Sequence, residues 1–268
     1  MKNFKLSFFN WNSKYIENTS TEISLFLFQD LQIKNFINNF FNKYFLLVHQ
    51  IVIYRSKKNL KIFISFFITQ KSTYFISKLT KKNNIKNSNQ NIYNSLSNKL
   101  LEVLSNYLNC KYNLTIIFQN LNKGLSLRLN NLKSRIFRKK LFKLKKYYKL
   151  KCFSELINIF LITIFKKNSS KILSEFIADL LTNNKRHNYF FNFIKEFFSS
   201  FIKSFLSKIT GLKFIIKGRL NNKRRKSKKI LQIGEISLQS KNKKLSKSES
   251  TSFTSNGTIN VKVFISEK

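Results

Sequence analysis

The chain has 268 residues and 43% of them are hydrophobic, which allows one large or two small domains with a buried core. It carries 51 Lys and Arg against 11 Asp and Glu, a net charge of +40. A free globular protein with this imbalance would repel itself, so the composition predicts a polyanionic partner: nucleic acid first, an anionic membrane surface second. An A+T bias in the coding sequence would explain the many lysines, but not the scarcity of acids.

The first half of the chain predicts a mixed α+β unit. Residues 21–45 repeat apolar side chains close to a 3.6-residue period, which predicts one or two helices. Two β-branched runs, 51–53 and 60–64, flank the polar stretch "RSKKN" and predict a strand–turn–strand unit. A helix around 96–108 and a strand at 114–118 complete this part of the pattern.

The segment 121–171 is strongly basic, and its middle predicts a helix with an apolar stripe made by Phe137, Leu141, Leu144 and Tyr148. Such a helix can lie along a membrane surface or along nucleic acid, or it can be a solvated helix packed by its stripe. Cations cover the rest of its surface: Arg138, Lys139, Lys140, Lys143, Lys145 and Lys146.

Membrane insertion and targeting find no support in the sequence. The longest apolar window, "LINIFLITIF" at 156–165, is about half of the ~20 residues that a spanning helix needs. The start, "MKNFKLSFFNWNSK", lacks the pattern of a secretory signal, and the first arginine is Arg55, which is atypical of a transit peptide. We therefore expect neither a membrane span nor a signal.

The second half predicts helices packed on a small, mostly antiparallel sheet. Residues 172–209 form a long helical pattern, as one helix or two, and Gly211 is expected to end it in the left-handed conformation. Residues 212–217 alternate apolar side chains with lysines, which predicts a half-buried strand ended by Gly218. "SKKILQIGEISLQS" supplies another strand, and the turn signal Asn256-Gly257 precedes the last one, "TINVKVFI".

A cationic finger is predicted in the loop after the Gly218 strand. It contains the run Lys223-Arg224-Arg225-Lys226 together with Lys228 and Lys229. Flexible cations raised on a rigid sheet suit phosphates and no particular base. A nuclear-localisation signal is the alternative for this run alone.

Catalytic chemistry is not predicted. No two acids have a spacing that suggests general acid–base work, and no phosphate-binding glycine motif is present. Asp30, Glu102 and Asp179 are expected to be helix-surface partners of lysines. An intron-encoded RNA enzyme would want a cluster of acids to hold metal ions, which the sequence lacks.

Metal sites and disulfides are not predicted either. Cys110 and Cys152 have no paired spacing, and His49 and His187 lie far from both in sequence. We expect free thiols in a reducing or organellar interior, and no metal or other cofactor.

Two motifs in the second half resemble those of the small-subunit ribosomal protein three family. "TGLKFIIKGRL" is similar to the family's Gly-Ile-Lys-Val-x-x-x-Gly-Arg-Leu, with matches at Gly211, Lys213, Gly218, Arg219 and Leu220. The family's closing motif, Gly-x-Ile-Gly-Val-Lys-Val-Trp-Ile, is similar to the end of this chain. It is matched at Gly257, Ile259, Val261, Lys262, Val263 and Ile265, while Asn260 and Phe264 are substituted.

Weaker likenesses extend this resemblance over more than half of the chain. "NWNSKYIEN" resembles the family's Trp-Asn-Ser-x-Trp-Phe, and "LFLFQDLQIKNFI" resembles a Leu-Tyr-Gln-Asp segment of the mitochondrial form. "IVIYRSKKNLKIFI" is similar to the Ile-Val-Ile-x-Arg hairpin, and "FIADLL" to the Val-Ala-Asp-x-Ile opening of a helix in the second domain.

The resemblance implies three parts: a degenerate K-homology type II domain at 1–120, a basic helical insertion at 121–171 and the family's α/β domain at 172–268. It implies a structural component of the small ribosomal subunit head, near the channel by which messenger RNA enters. Partners would be ribosomal RNA, messenger RNA and neighbouring ribosomal proteins. The composition fits an organelle-encoded copy in the mitochondrial matrix, rather than a plastid one.

The sequence departs from the family at two functional places. A K-homology domain grips the RNA backbone with a Gly-x-x-Gly loop, but the first glycine of this chain is Gly124. Lys185 and Arg186 match the first basic pair of the family's messenger-unwinding helix, whereas the second pair falls on Phe190 and Phe191. Unwinding activity is therefore not carried over to this chain.

The leading hypothesis is RNA binding through phosphates, and the alternative is a basic peripheral protein of a membrane surface without catalytic activity. The candidate RNA-binding residues are Arg138, Lys139, Lys140, Lys143, Lys145, Lys146, Lys185, Arg186, Lys217, Arg219, Lys223, Arg224, Arg225, Lys226, Lys228 and Lys229.

Overall fold

The structure is a computed structural model, and the chain divides into two compact units, Met1–Leu121 and Asn122–Lys268. Both units mix helices with a sheet, as the sequence predicts. The second unit contains the predicted insertion from Asn122 onward together with the 172–268 segment. The described residues are 13–15, 20–56, 58–82, 89–108, 112–122, 131–150, 153–165, 168–183, 187–202, 207–240 and 243–267.

The first unit has a four-stranded sheet in the order β1-β2-β3-β4. The middle pair, β2 and β3, is antiparallel, while β1 runs parallel to β2 and β4 parallel to β3. Its elements are β1 Ser13–Tyr15, α1 Ser20–Lys43, β2 Leu46–Arg55, β3 Asn59–Ile68, α2 Gln70–Lys82, α3 Asn89–Tyr107 and β4 Asn113–Asn120.

Apolar periodicity explains the core of this unit. Ile33 and Ile37, one helical turn apart on α1, are fully buried, as is Leu100 of α3. They belong to one cluster with the inward side chains of the sheet, such as Ile62 and Ile64. The predicted strand–turn–strand unit, the following helix and the last strand are confirmed, although α3 begins earlier than predicted.

The prediction for Asp30 was wrong. Instead of lying on the helix surface, Asp30 is buried, and its Oδ1 lies 2.8 Å from Nη2 of the equally buried Arg55. Nη1 of Arg55 donates to Oε1 of Gln29 at 2.7 Å, and the guanidinium lies over the ring of Phe26. Because α1 lies against β2 here, the carboxylate has a cation beside it that sequence spacing did not reveal.

The second unit contains an antiparallel sheet in the order β6-β5-β8-β7 together with four helices in its described residues. Its helices are α4 Asn131–Lys143, α5 Phe153–Phe165, α6 Ser170–Asn183 and α7 Asn188–Ile202, with a 3-10 turn at Leu144–Tyr147. Its strands are β5 Ile209–Gly218, β6 Ser227–Gly234, β7 Lys244–Thr254 and β8 Gly257–Glu267.

The helical pattern at 172–209 is two helices, α6 and α7, and the prediction for Gly211 was wrong. Gly211 lies within β5, opposite Gly234 of β6, and beside a register shift in the pairing with β8. A Cβ atom there would lie 2.4 Å from the backbone oxygen of Glu235. Close approach of two strands, rather than a helix end, requires this glycine.

Gly218 ends β5, as predicted. Its φ is +154°, and a Cβ atom would lie 2.9 Å from both Cα of Ile259 and the carbonyl oxygen of Thr258. Backbone conformation and close approach to β8 therefore both favour glycine here.

The predicted stripe of the basic helix was wrong at its end. The α-helix stops at Lys143 and tightens into the 3-10 turn, where residues three apart lie on the same side. Tyr147 is therefore buried together with Leu144, whereas Tyr148 is 74% exposed.

The apolar segment 156–165 forms most of α5, and its side chains are largely buried, among them Ile159, Phe160 and Ile164. Phe160 contacts the rings of Phe193 and Phe197 on α7. The segment is thus a core helix of its own unit. Within the described parts of the chain, no helix is long and apolar enough to cross a membrane.

Candidate nucleic-acid interface

The β5–β6 connection carries the densest group of exposed cations in the candidate set. β5 ends at Gly218, a 3-10 turn follows at Leu220–Asn222, and β6 begins at Ser227. Exposed side chains in and beside this connection are Lys217, Arg219, Lys223, Arg224, Arg225, Lys226 and Lys228. We call this segment, 217–229, the basic hairpin.

The prediction placed Lys228 and Lys229 in the loop, which is wrong, because β6 starts at Ser227. Lys228 pairs with Lys217 and Lys229 with Ile216. Their positions are therefore fixed by the sheet, whereas the cations of 223–226 lie in the connection itself.

Asn221 anchors the basic hairpin to the N-terminal end of α7. Its Oδ1 accepts a hydrogen bond from the backbone N–H of His187 at 2.7 Å, and its Nδ2 donates to Oδ1 of Asn188 at 2.9 Å. Its own backbone N–H donates to Nδ1 of His187 at 3.2 Å. Asn221 has a φ of 55°, a left-handed conformation that asparagine tolerates better than most residues. The first turn of the hairpin is thus held at a defined place.

His187 takes part in this anchor as a neutral imidazole. Its Nδ1 accepts the hydrogen bond from the Asn221 backbone, so the ring proton resides on Nε2. The side chain is buried, which agrees with a role in positioning rather than in contacting a ligand.

Lys229 is less available than its neighbours. Its Nζ lies 4.5 Å from the ring centroid of Phe191 and 3.5 Å from Oδ1 of Asn188. Burial lowers the pKa of Lys229. These contacts hold β6 against α7. Lys229 therefore supports the structure of the hairpin and is less accessible to a ligand than its exposed neighbours.

The basic helix α4 offers a second group of cations. Arg138, Lys139 and Lys143 are exposed, and Lys145 in the 3-10 turn lies with its Nζ 4.7 Å from the ring centroid of Phe142. Phe142 itself is 67% exposed. Cations beside an exposed ring are suited to phosphates and to an unstacked base.

Lys140 points to the protein instead. Its Nζ donates to the carbonyl oxygen of Ser200 at 2.8 Å, in the last turn of α7, and lies 5.6 Å from the ring centroid of Phe201. A cation at a helix C-terminus is favoured by the helix dipole. Burial lowers the pKa of Lys140. We therefore assign Lys140 a role in stabilising the fold rather than in binding a ligand.

Lys146 is held by an acid of α7. Its Nζ lies 2.8 Å from Oε2 of Glu196, and the hydroxyl of Tyr147 donates to Oε1 at 2.7 Å. Burial opposes the shift, yet these hydrogen bonds lower the pKa of Glu196. Burial, followed by the contact with Glu196, raises the pKa of Tyr147 to about 12. The 3-10 turn is thereby fixed to the side of α7.

Helix α7 is the shared support of both basic segments. Tyr189 donates to the carbonyl oxygen of Lys146 at 2.6 Å, one residue after the Asn188 that binds the basic hairpin. The 3-10 turn and the hairpin therefore both contact the first turn of α7. Lys185 and Arg186 directly precede that helix in sequence but lie outside the described residues.

Sequence reasoning missed the residues that hold the cations in place: Asn221, His187, Tyr189 and Glu196. Only one had a local signal, since Asn221 stands in a polar turn that follows a strand, where asparagine at positive φ is common. In the described part of the chain, no three His, Cys, Asp or Glu side chains group closely enough to hold a metal ion.

The geometry therefore describes exposed cations on a rigid, aromatic-rich support. In comparisons with known proteins, the chain matches no family model, and no curated protein matches it.

Proposed function

We propose that this chain is a structural, RNA-binding component of the small subunit of a mitochondrial ribosome, related to the small-subunit ribosomal protein three family. It would bind ribosomal RNA through phosphate contacts in the subunit head, near the channel by which messenger RNA enters, and so support translation. No catalytic step is assigned to it.

The observation that carries the proposal is the pairing of the two most specific motifs. "TGLKFIIKGRL" is β5 with the turn that follows, and the closing motif is β8, and the two strands are neighbours in one sheet. Apolar positions of the two motifs lie opposite each other, such as Phe214, where the family has valine, and Val263. Two motifs that lie apart in sequence but pair in space support one ancestral domain better than either motif does alone.

A second contact in the first unit supports the same resemblance. Gln29 and Asp30 belong to the "LFLFQDLQIKNFI" segment, and Arg55 belongs to the "IVIYRSKKNLKIFI" hairpin. Arg55 binds both side chains, at 2.7 Å and 2.8 Å. The polar residues of two weak motifs thus form one buried contact, which gives a physical reason for their joint occurrence.

The order helix, strand, strand, helix, helix, strand in α1–β4 supports a K-homology type of fold for the first unit. Without the Gly-x-x-Gly loop, this unit would act through packing and through exposed lysines such as Lys71 and Lys61. We propose that most phosphate contacts belong to the second unit.

The peripheral-membrane alternative rests on α4 and α5. The apolar side chains of α5 are mostly buried in their own unit and are not available for insertion. Ile136 and Phe142 of α4 are exposed among cations, a pattern that also suits a helix lying on a membrane surface. The membrane alternative therefore rests on α4.

Sedimentation separates the two functions. Organelle lysate is run through a sucrose gradient at moderate salt with magnesium, and the chain is followed by mass spectrometry. We expect it to migrate with the small-subunit RNA and to leave those fractions after RNase treatment or after dissociation by EDTA. Recovery at the top of the gradient, or with carbonate-washed membranes, would contradict the ribosomal function and favour the membrane surface.

A further inference from the structure

A groove of about 400 Å³ opens at the base of the basic hairpin. The end of β5, the start of β6 and the start of β8 form it, and lysines from two of these strands face each other across it. By the share of volume that a water takes in the liquid, the groove has room for on the order of a dozen waters. The groove is partly open to solvent and has room for a phosphate group.

The floor of the groove is a row of polar side chains across neighbouring strands. Lys217 pairs with Lys228 on one side and with Asn260 on the other. Cβ atoms directly opposite in an antiparallel pair lie roughly 5 Å apart, so the side chains of Lys217 and Lys228 leave the sheet side by side. Like charges in this arrangement destabilise the free protein, and Lys226 adds a third charge to the groove.

Farther along the same face of the sheet, an acid of the chain neutralises two lysines. Two residues beyond Asn260, Nζ of Lys262 lies 2.9 Å from Oε1 of Glu249, and Lys247 lies 3.0 Å from the same oxygen. No acid lines the groove among the residues described. An anionic ligand would supply the charge that Lys217, Lys226 and Lys228 lack among the described residues of the groove.

Hydrogen-bonding capacity accompanies the charge. Oδ1 of Asn260 is buried without a hydrogen-bond donor among the described residues, although Asn260 lies on the groove. The side-chain NH2 group of Asn260 can act as a donor, and Thr258, whose hydroxyl can also donate, is exposed beside it. The wall thus offers neutral donors next to the lysines.

We propose that this groove is a binding site for a single phosphodiester of an RNA backbone, held by Lys217 and Lys228 with Lys226 above them and Asn260 and Thr258 beside them. The site rests on the proposed function and makes it specific: it fixes where one phosphate sits and leaves the bases unread. Gly218 lies at the same place, where a side chain would collide with β8.

The test uses the full chain and a fluorescein-labelled 12-mer of uridine, with binding followed by anisotropy between 0.1 and 1 M KCl. For single strands, each phosphate that the protein no longer neutralises lowers the slope of log K against log salt by about 0.7, so Lys217→Gln with Lys228→Gln, which empties a site for one phosphate, should lower it by about 0.7. If affinities converge at 1 M, binding at 0.1 M becomes roughly 5-fold weaker.

Two matched variants accompany this one. Lys243→Gln with Lys244→Gln removes the same charge from exposed positions at the far end of β7, roughly 23 Å along that strand from the residue opposite Asn260. It should leave the slope nearly unchanged. Lys217→Arg with Lys228→Arg keeps the charge and should keep the slope.

Thermal unfolding without RNA gives an independent readout. Removing the two opposed charges should raise the melting temperature of the groove variant relative to wild type. A variant that merely misfolds would show the reverse, so a lowered slope with a lowered melting temperature overturns the site.

Lysine acetylation, read by mass spectrometry, locates the contact. RNA should protect Lys217 and Lys228 and leave Lys243 and Lys244 reactive. If wild type binds the 12-mer but the groove lysines react like those of β7, the groove is not the site, and the proposed function survives. If wild type does not bind the 12-mer at all, the RNA-binding function fails together with the groove.

Discussion

Asp30 and Arg55 show how a single ion pair ties the first unit together. Both side chains are 2% exposed, and the pair links the helix α1 to the end of β2. A buried pair of this kind can add little to the free energy of unfolding. Losing one partner is nevertheless costly, because it leaves the other charge buried without a counter-charge or water. The sequence could not predict it, because the two residues are 25 positions apart and either could have faced solvent.

Replacing Asp30 alone should therefore destabilise the first unit. Asp30→Asn keeps the shape and leaves the Arg55 charge buried, for an expected cost of about 3–5 kcal/mol in the free energy of unfolding. Hydrogen exchange of the amides in β2 and β3 measures it, and exchange should become at least about 100-fold faster.

Two controls accompany this variant. Asp179→Asn changes an exposed acid of α6 and should leave exchange in β2 and β3 unaltered. Asp30→Leu with Arg55→Met replaces both charges by apolar side chains and should recover most of the stability that Asp30→Asn removes. If the amides of β2 and β3 exchange as slowly in Asp30→Asn as in wild type, the ion pair does not contribute to the stability of the first unit.

Asn221 allows backbone strain to be separated from hydrogen bonding. Asn221→Gly keeps easy access to a φ of 55° but loses the bonds to His187 and Asn188, at an expected cost of about 1 kcal/mol for each. Asn221→Ala loses the bonds as well and adds about 1–2 kcal/mol of left-handed strain. We expect protection of the amides in 219–229 to fall in the order wild type, Asn221→Gly, Asn221→Ala.

Exchange in β8, away from the turn, serves as the internal reference for these variants. Asn192→Ala on α7 is the matched asparagine control, since its exposed side chain lies on the helix surface. Equal protection in the glycine and alanine variants would mean that the left-handed conformation of Asn221 is not retained in solution.

At the scale of elements, periodicity predicted the apolar helices and strands well and the polar ones poorly. The β-branched runs predicted the hairpin β2–β3, and apolar alternation predicted the strands β5 and β8. Strand β7, "KLSKSESTSFT", was missed because serine, threonine and lysine dominate it and it carries no apolar period. Its structure comes from its pairing with β8. The sequence of helix α2 does carry a short helical pattern, with Phe75, Ile76 and Leu79 at the spacing of one face, but the prediction did not include it.

Cations were predicted as a group, but their roles differ within one helix. The sequence marks Lys139, Lys140 and Lys143 of α4 alike, whereas the fold turns Lys140 toward the end of α7 and leaves the other two exposed. Helical spacing alone could not separate them, because the partner of Lys140 lies 60 residues away in sequence.

The basic helix thus allows one prediction with its own control. Lys139→Gln with Lys143→Gln should lower the salt slope of RNA binding by about 0.7 for each phosphate that these lysines neutralise in wild type, without lowering the melting temperature. Lys140→Gln should leave the slope unchanged and lower the melting temperature, because it removes the bond to Ser200. Salt-dependent anisotropy and thermal unfolding measure the two effects. If Lys140→Gln lowers the slope, and Lys139→Gln with Lys143→Gln lowers only the melting temperature, Lys140 is the residue that binds RNA.

At the scale of the whole molecule, several of the few acids make contacts that stabilise the fold. Asp30 binds Arg55, Glu196 binds Lys146 and Tyr147, Glu249 bridges two lysines, and Glu267 accepts from the backbone of Asn168 at 2.6 Å. With 51 Lys and Arg against 11 acids, the net charge stays at +40 however these contacts are arranged. The same excess of cations that would favour phosphate binding should weaken the fold of the free chain.

The stability of the RNA-free protein should accordingly rise with ionic strength. Added salt shortens the screening length from about 30 Å at 0.01 M to about 8 Å at 0.15 M, which weakens repulsion between cations spread over the surface. We expect partial unfolding at 20 mM KCl, with aggregation through the apolar surface that it exposes, and a monodisperse, better-folded chain at 0.5 M.

Light scattering and thermal unfolding across this range measure the effect. A gain of about 1–2 kcal/mol corresponds to a rise of about 2–8 °C in melting temperature for a domain of roughly this size. Sucrose at matched osmolality is the control, since it favours compact states without screening charge. At 20 mM KCl, the 12-mer of uridine should restore solubility and raise the melting temperature, because it supplies the missing negative charge. A chain that is monodisperse and equally stable at 20 mM and 0.5 M KCl would show that repulsion among its cations does not weaken the fold, and a polyanionic partner would no longer follow from the net charge.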